Sequence, residues 1–197
     1  MDKKRIILAS GNRHKIREIA EMLPDYEIVG YKDFGDFEIE ETGKTFYENA
    51  LIKAKTVSEK LHAAALADDS GICVDALSGA PGIYSARYAG DGNDEHNNDL
   101  LLKNMENKTD RKAKFVCCMV YCSEHGDILS ATGEVKGEIL TERQGKNGFG
   151  YDPIFYSYEL GKPMGIASSE EKNSVSHRHR ALQTFIKKIE EYEKKRD

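Results

Sequence analysis

The first 31 residues carry the pattern that most restricts the fold: an apolar strand, an amphipathic helix and a second strand in succession. Residues 5–9 are predicted to form a buried strand, and a polar turn at 10–12 leads into a helix over about residues 13–23. Pro24 ends that helix, and residues 26–31 form the second strand. Because a strand that returns through a helix lies parallel to the first, this opening predicts an open α/β sheet.

Two adjacent carboxylates, Asp68 and Asp69, follow an apolar run at residues 64–67. We predict a strand that ends at this pair, because Ser70 and Gly71 favour a turn. Ligands of open α/β sheets collect beyond the carboxyl ends of the strands, where paired carboxylates attract a hard divalent cation such as Mg²⁺. An ordinary solvated turn would have the same composition, so the segment alone leaves both interpretations open.

The remaining periodicity predicts helices packed on a mixed sheet. Thr45 and Glu48 have the spacing of a capping box, and the helix they begin runs to about residue 61. Residues 114–122 are apolar on both faces, which is typical of a covered central strand, and a turn at 125–127 predicts an antiparallel partner. Further predicted elements are a helix at about 94–106, a strand at 128–139, a short strand at 154–156 and a last helix from about 175.

Composition excludes several classes of function. The net charge of −5 provides no basic field for gripping a nucleic-acid backbone, and no apolar run reaches membrane-spanning length. We therefore expect no nucleic-acid or membrane partner. The four cysteines lack the spacing of a zinc site, and the last three lie within one apolar run, so we expect buried free thiols and a reducing cytoplasm. They are Cys73, Cys117, Cys118 and Cys122.

The segment from Ser10 to Lys15 lies between a predicted strand and a helix start. Free backbone N–H groups and the helix dipole favour an anion there, and Lys15 adds a full charge. The segment lacks the spacing of a Walker A loop. A plain capped helix with exposed basic residues is the alternative.

Three further segments carry residue types suited to a nucleotide. Glu41 supplies a carboxylate ahead of the capped helix, although taken alone it is typical of an acidic residue in a solvated loop. The aromatic-glycine pair Phe149-Gly150 suits a ring laid against a nucleobase, or equally a turn packed on the core. Lys172 and the segment 176–178 gather donors suited to a phosphate or a base carbonyl.

Taken in order, these segments strongly resemble the inosine triphosphate pyrophosphatase (HAM1/RdgB-type) family of house-cleaning enzymes. The resemblance runs from Ile6 to about Ala181. Its motifs are Ser-Gly-Asn-x-x-Lys at 10–15, Glu-x-Gly-x-Thr-Phe-x-Glu-Asn-Ala at 41–50 with Lys53, Ala-Asp-Asp-Ser-Gly at 67–71, Pro-Gly-Ile-Tyr-Ser-Ala-Arg-Tyr-Ala-Gly at 81–90, Gly-Phe-Gly-Tyr-Asp-Pro at 148–153 and Ser-His-Arg at 176–178. The set is highly specific.

The resemblance implies one domain, residues 1–197, with an elongated mixed sheet flanked by helices, two lobes and a nucleotide cleft between them, usually as a homodimer. The implied reaction is Mg²⁺-dependent hydrolysis of ITP, dITP or XTP to the monophosphate and pyrophosphate. Asp69 would be the catalytic proton acceptor, and Glu41 and Asp69 the metal ligands. The implied substrate-binding residues are Ser10, Gly11, Asn12, Arg13, His14, Lys15 and Lys53 for the phosphates, Ser70 beside the substrate, and Phe149, Gly150, Tyr151, Asp152, Lys172, His177 and Arg178 for the base and sugar.

Two other classes of function share part of this pattern. A nucleotide sensor without catalysis would keep the phosphate and base groups but could dispense with the acids, whereas Asp68, Asp69 and Glu41 are all present. A pyrophosphatase of related architecture could act on modified pyrimidine nucleotides. The Ser-His-Arg and Phe-Gly-Tyr-Asp motifs count against the second class, and a nucleotide screen separates the two.

Overall fold

The structure is a computed structural model that describes residues 3–11, 13–35 and 37–195, with only the backbone described for His14 and Glu18. The strands are β1 (Lys4–Leu8), β2 (Tyr26–Gly30), β3 (Ala65–Val74), β4 (Lys112–Cys122), β5 (Ile128–Ile139), β6 (Phe155–Ser157) and β7 (Lys162–Pro163). The helices are α1 (Arg13–Met22), α2 (Phe46–Leu61), α3 (Asp94–Asn104), α4 (Ser169–Val175) and α5 (His177–Lys194).

Within these residues the strands form one seven-stranded mixed sheet in the order β2-β1-β3-β4-β5-β6-β7. Strand β1 lies parallel to β2, with Ile6 opposite Ile28, and also parallel to β3, with Ile7 opposite Ala65. Strands β5 and β6 are antiparallel. The predicted α/β class and the parallel opening are therefore confirmed.

The chain divides into two compact units. The first contains the described residues up to Asp69, the segment Cys118–Thr132 and the described residues from Ala181 onward. The second contains Ser70–Cys117 and Gly133–Arg180. Strands β3, β4 and β5 each contribute residues to both units.

The core of the first unit lies where α2 packs on the sheet. Ala50, Ala54 and Val57 of α2 are fully buried in one apolar cluster with Ala65 and Ala67 of β3. Alanines on both surfaces let helix and strand approach closely, as dense interior packing requires. This contact fixes the position of α2 against the residues that follow Ala67.

The second unit has its own core, built on β3, β4 and β6. Phe115 and Phe155 pack with ring centroids 4.6 Å apart, and Leu101 of α3 lies in the same cluster. Tyr151 belongs to this cluster as well. Its inclusion fastens the glycine-rich segment around residue 150 to the core.

The prediction that a strand ends at Asp68 and Asp69 is wrong, because β3 continues to Val74. The Ile72 N–H donates to the Ser85 hydroxyl at 2.9 Å, so a loop side chain supplies a partner that local sequence does not reveal. Gly71 is needed for close approach, since a Cβ there would lie 2.4 Å from the Gly82 carbonyl oxygen. Ser70 and Gly71, which were expected to form a turn, therefore lie inside a packed strand.

The cysteines and two short elements provide further comparisons with the sequence-based predictions. The four cysteines are free, as predicted, and Cys117, Cys118 and Cys122 are buried, whereas Cys73 is half-buried. Strand β7 and helix α4 were not predicted, although Ser168 and Glu171 form a capping box at the start of α4. Along the described part of the chain, none of the helices combines the length and apolarity needed to cross a bilayer.

Candidate active site

Asp68 and Asp69 are consecutive in β3, so their side chains point to opposite faces of the sheet. On one face, Lys15 from the first turns of α1 places its Nζ 3.0 Å and 2.9 Å from the two carboxylate oxygens of Asp68. The Asp68 side chain is 2% exposed. Burial of a carboxylate requires such a partner, so Lys15 stabilises the Asp68 charge.

On the other face, Asp69 meets residues presented by α2. Asn49 Nδ2 donates to Asp69 Oδ2 at 3.2 Å, and Lys53 Nζ lies 3.5 Å from Asp69 Oδ1. Lys53 Nζ also lies 3.4 Å from Glu41 Oε1. Asn49 and Lys53 are one helical turn apart, and this spacing lets both reach the same carboxylate.

The segment before α2 is held in place by that helix. The Gly43 N–H donates to Asn49 Oδ1 at 2.8 Å, and a Cβ on Gly43 would lie 2.6 Å from the same oxygen. Thr45 caps α2 by accepting from the Glu48 N–H, while the Glu48 carboxylate accepts from Lys44. The capping residue is confirmed, and the reciprocal bond falls one residue earlier than predicted.

Burial raises the pKa of the Asp69 carboxyl above its ordinary value. The Lys53 ammonium opposes this effect, and the negative charges of Glu41 and Asp68 add to it. The Asn49 hydrogen bond lowers the pKa in turn. With its pKa raised, the Asp69 carboxylate is a stronger base than a solvated aspartate, which suits proton abstraction from water.

A polar cavity of about 370 Å³ lies beside these groups in the first unit. Its lining includes Ser10, Gly11, Lys15, Glu41, Lys53 and Asp68, which brings together three predicted segments of the site. Lys32 also lines it and was not predicted. A sequence signal was present, since Lys32 is the second residue after the end of β2, where sheet ligands collect.

Lys32 lies close to Gly11. A Cβ on Gly11 would lie 2.8 Å from Lys32 Cε, so glycine leaves the space that the lysine stem occupies. Arg13 is exposed as the first residue of α1. Asn12 lies outside the described residues, as does the side chain of His14.

The predicted base-binding segment forms a second cluster, in the second unit. Phe149 is 62% exposed, and Lys172 Nζ lies 4.1 Å from its ring centroid. The buried Asp152 carboxylate accepts from the Phe149 N–H at 2.9 Å and forms a short ion pair with Lys172. Gly148 has a φ of +79° and leaves the space that Asp152 fills. The structure thus brings Phe149, Asp152 and Lys172 together.

The other predicted base-site residues are more deeply placed. The Tyr151 hydroxyl donates to the Ser85 carbonyl at 2.7 Å, and burial raises the pKa of that phenol. His177 stacks on Phe115 with ring centroids 5.1 Å apart, and Arg178 is buried at 6% exposure. The Tyr151 side chain is therefore used in anchoring its loop to the core.

Two residues of α3 contact the same loop and were not predicted. Asp94 Oδ2 accepts from the Gly150 N–H at 2.8 Å, and Asn98 Nδ2 donates to the Gly150 carbonyl at 2.9 Å. The two are four residues apart and so share one face of the helix. Ser70, another predicted substrate contact, is half-buried in β3.

The carboxylate oxygens of Glu41 and Asp69 are ligands of the kind that Mg²⁺ prefers. Glu41 and Asp69 both direct an oxygen at the same ammonium of Lys53, so two hard donors converge on one cation. In the described part of the chain, no three His, Cys, Asp or Glu side chains cluster as a complete metal site. Since Mg²⁺ is commonly held by one or two carboxylates together with substrate phosphates and water, two protein ligands suffice.

Comparison with protein families matches residues 6–188 to the Ham1 family. A protein from Staphylococcus aureus strain MW2 named dITP/XTP pyrophosphatase is 45% identical over 188 residues, covering 93% of this chain and 96% of its own. A protein of the same name from Bacillus anthracis is also 45% identical, covering 96% of this chain and 98% of its own.

A solved structure gives the same match in three dimensions. The Ham1 protein of Staphylococcus aureus superimposes with a TM-score of 0.92 at 43% sequence identity, covering 96% of this chain and 100% of that chain. Both sequence and fold therefore place this chain beside the same group of proteins over nearly its whole length.

Proposed function

The chain belongs to the Ham1 family, and we propose that it hydrolyses non-canonical purine nucleoside triphosphates, namely ITP, dITP and XTP, to the monophosphate and pyrophosphate. Water adds to the α-phosphorus, the bond to the oxygen bridging the α- and β-phosphorus atoms breaks, and pyrophosphate leaves. The proton of the attacking water passes to Asp69. Such a reaction removes these nucleotides from the pool.

The convergence of Glu41 and Asp69 on Lys53 is the observation that carries this proposal. A sensor that only binds nucleotide has no need for a buried carboxylate with a raised pKa beside two other acids. The relatives that match nearly the whole chain are named dITP/XTP pyrophosphatase, which supports both the substrate class and the products.

Lys15 and Lys53 are proposed to bind the phosphates, together with the backbone at the start of α1. Each lysine sits beside a carboxylate, Lys15 on Asp68 and Lys53 between Glu41 and Asp69. These acids fix the ammonium groups in the cavity before substrate arrives, which lowers the cost of ordering them. Fixed positive charge then stabilises the negative charge that develops on the leaving pyrophosphate.

Glu41 and Asp69 are also proposed to hold Mg²⁺. A bound Mg²⁺ supplies charge neutralisation of the triphosphate and polarises the phosphoryl oxygen. Asp69 orients the attacking water in addition to accepting its proton. Glu41 has only a ligand role, since its side chain is more exposed than that of Asp69.

Phe149 is proposed to stack on the base, with Lys172 and Asp152 beside it. Its 62% exposure is unusual for a phenylalanine and leaves much of this aromatic side chain accessible to a base. Inosine and xanthosine carry a 6-oxo acceptor, whereas adenosine carries a 6-amino donor. Hydrogen-bond donors at this position, from Arg178 or the backbone, would therefore select the first two.

A homodimer in a reducing cytoplasm is proposed as the working form. Free cysteines fit that compartment. In the glycine-rich segment 78–92 Tyr84 is 56% exposed on the short 3₁₀ helix Gly82–Arg87, which makes this segment a candidate interface. Light scattering at micromolar concentration tests the assembly, and a monomer would contradict it.

The reaction is tested by identifying the first products from ITP and Mg²⁺. Pyrophosphate and inosine monophosphate in equal amounts are expected. Orthophosphate and inosine diphosphate would contradict the assigned bond. A parallel assay with modified pyrimidine triphosphates tests the other pyrophosphatase class, which predicts faster turnover of those nucleotides.

A further inference from the structure

We propose that Asn98, together with Asp94, is a positioning residue for Phe149, acting through the backbone of Gly150. Both polar groups of Gly150 are held by α3: its N–H donates to Asp94 at 2.8 Å, and its carbonyl accepts from Asn98 at 2.9 Å. This inference rests on the proposed function, since it assigns Phe149 to the base.

The backbone of Gly150 needs such support. Its φ of +60° lies in the left-handed region, which glycine tolerates but does not prefer over other conformations. A glycine therefore samples many orientations unless its peptide groups are bound. The two side chains of α3 bind the N–H and the carbonyl of this one residue.

Phe149 is 62% exposed, and the Lys172 ammonium lies 4.1 Å from its ring centroid, so the ring is oriented by this contact and by its own backbone. Its own N–H donates to Asp152 at 2.9 Å, and the next N–H along the chain donates to Asp94. The backbone is thus held on both sides of the Phe149 side chain. A ring presented in one orientation loses less entropy when a base stacks on it.

Asn98 is well suited to this role because it is fully buried. Its carboxamide cannot exchange its bond to Gly150 for one with bulk water without the helix moving. Asn97, the preceding residue, is equally buried but binds a different loop: its Oδ1 accepts from the Ala89 N–H at 2.7 Å, and its Nδ2 donates to the Ala86 carbonyl at 3.3 Å. Asn97 is therefore a matched control.

The expected effect of Asn98→Ala is a rise in KM for ITP of about fivefold, the value of one hydrogen bond, with kcat nearly unchanged. Binding of inosine monophosphate, measured by calorimetry, should weaken by a similar factor. Asn97→Ala removes two hydrogen bonds and should lower the melting temperature at least as much as Asn98→Ala, but it should leave KM and monophosphate binding unchanged. Equal effects of the two variants on KM would overturn the proposal.

A double-mutant cycle with Phe149→Ala tests the route of the effect. If Asn98 acts through Phe149, then Asn98→Ala has no further effect on KM or monophosphate binding in the Phe149→Ala background. Additive effects would overturn the proposal. If Asn98→Ala does not fold, the exposed Asp94→Ala takes its place in the cycle with the same expectations.

Different outcomes would contradict the proposed function and the role of Asn98. If native protein releases no pyrophosphate from ITP, then the proposed function is wrong. If native protein releases pyrophosphate but the cycle is additive, then the proposed function stands and the role of Asn98 is wrong.

Discussion

Asp68 and Asp69 are neighbours in β3, yet each contacts a lysine from a different helix. Asp68 is paired with Lys15 of α1, whereas Asp69 shares Lys53 of α2 with Glu41. Adjacency in the sequence therefore does not make them one acidic pair. The alternation of a strand gives them different surroundings, and the second carboxylate beside the Lys53 ammonium is that of Glu41, which lies 28 positions from Asp69 in the sequence.

Asp68→Asn is expected to have its main effect on the free energy of unfolding and a smaller effect on kcat. The change leaves the partly buried Lys15 ammonium without its full countercharge, which costs roughly 1–3 kcal/mol. Turnover should fall far less than in Asp69→Asn. Thermal unfolding and steady-state kinetics on both variants check this. A folded Asp68→Asn protein as inactive as Asp69→Asn would contradict the division of roles.

Asp69→Asn is expected to reduce turnover by about 10²-fold or more, because the amide cannot accept the proton or match the charge of a metal. Fold and nucleotide binding should be retained. Near-native turnover by this variant would refute the catalytic role.

The same variant should be more stable than the native protein at neutral pH in metal-free buffer. The folded-state pKa of Asp69 is raised, so its ionised form costs stability. That cost is fully present above the raised pKa and vanishes below the ordinary Asp value of about 4. Melting curves from about pH 4 to pH 8 should therefore converge at low pH. A variant less stable than native at pH 8 would contradict the sign.

Glu41→Gln is expected to raise the Mg²⁺ concentration needed for half-maximal activity, since one hard ligand loses its charge. Glu40→Gln, on the exposed preceding residue, is the matched control and should leave the titration unchanged. If both variants titrate like the native protein, then Glu41 is not a ligand.

Lys32→Ala is expected to raise KM for the triphosphate by a few-fold while leaving kcat nearly unchanged. The reason is that Lys32 lines the cavity beside Gly11 and adds positive charge where the phosphates are proposed to bind. The effect should shrink at high salt. Lys55→Ala, at an exposed position of α2, serves as control. If KM is the same for both variants, then Lys32 does not contribute to phosphate binding.

Local patterns predicted most of the scaffold. Helix α2 was predicted with its end at about residue 61, as the structure has it, because its period and its capping residue agree. Strand β4 was recognised because its residues are apolar on both faces. These signals lie within one element and need no knowledge of the rest of the chain.

The features that were predicted wrongly or not at all depend on contacts between residues that are distant in sequence. Strand β3 was predicted to end early because Ser70 and Gly71 favour turns. It continues beside β4, and its Ile72 N–H donates to Ser85, which lies 13 positions later in the sequence. Asn98 contacts Gly150 across 52 positions, and no local pattern connects them. Residues that act by holding another residue in place are therefore the part of a site that one sequence reveals least.

The measurement that tests the central claim most directly is kcat/KM for ITP, XTP, GTP and ATP with the native protein. ITP and XTP are expected far above ATP, by roughly 10⁴-fold, because adenine would leave buried donors facing a donor. The kcat/KM for GTP should lie between those of ITP and ATP. If the Arg178 side chain is the donor, then Arg178→Ala should reduce the ratio of kcat/KM for ITP to that for ATP. ATP hydrolysed as well as ITP would contradict the claim that this chain selects 6-oxo purines.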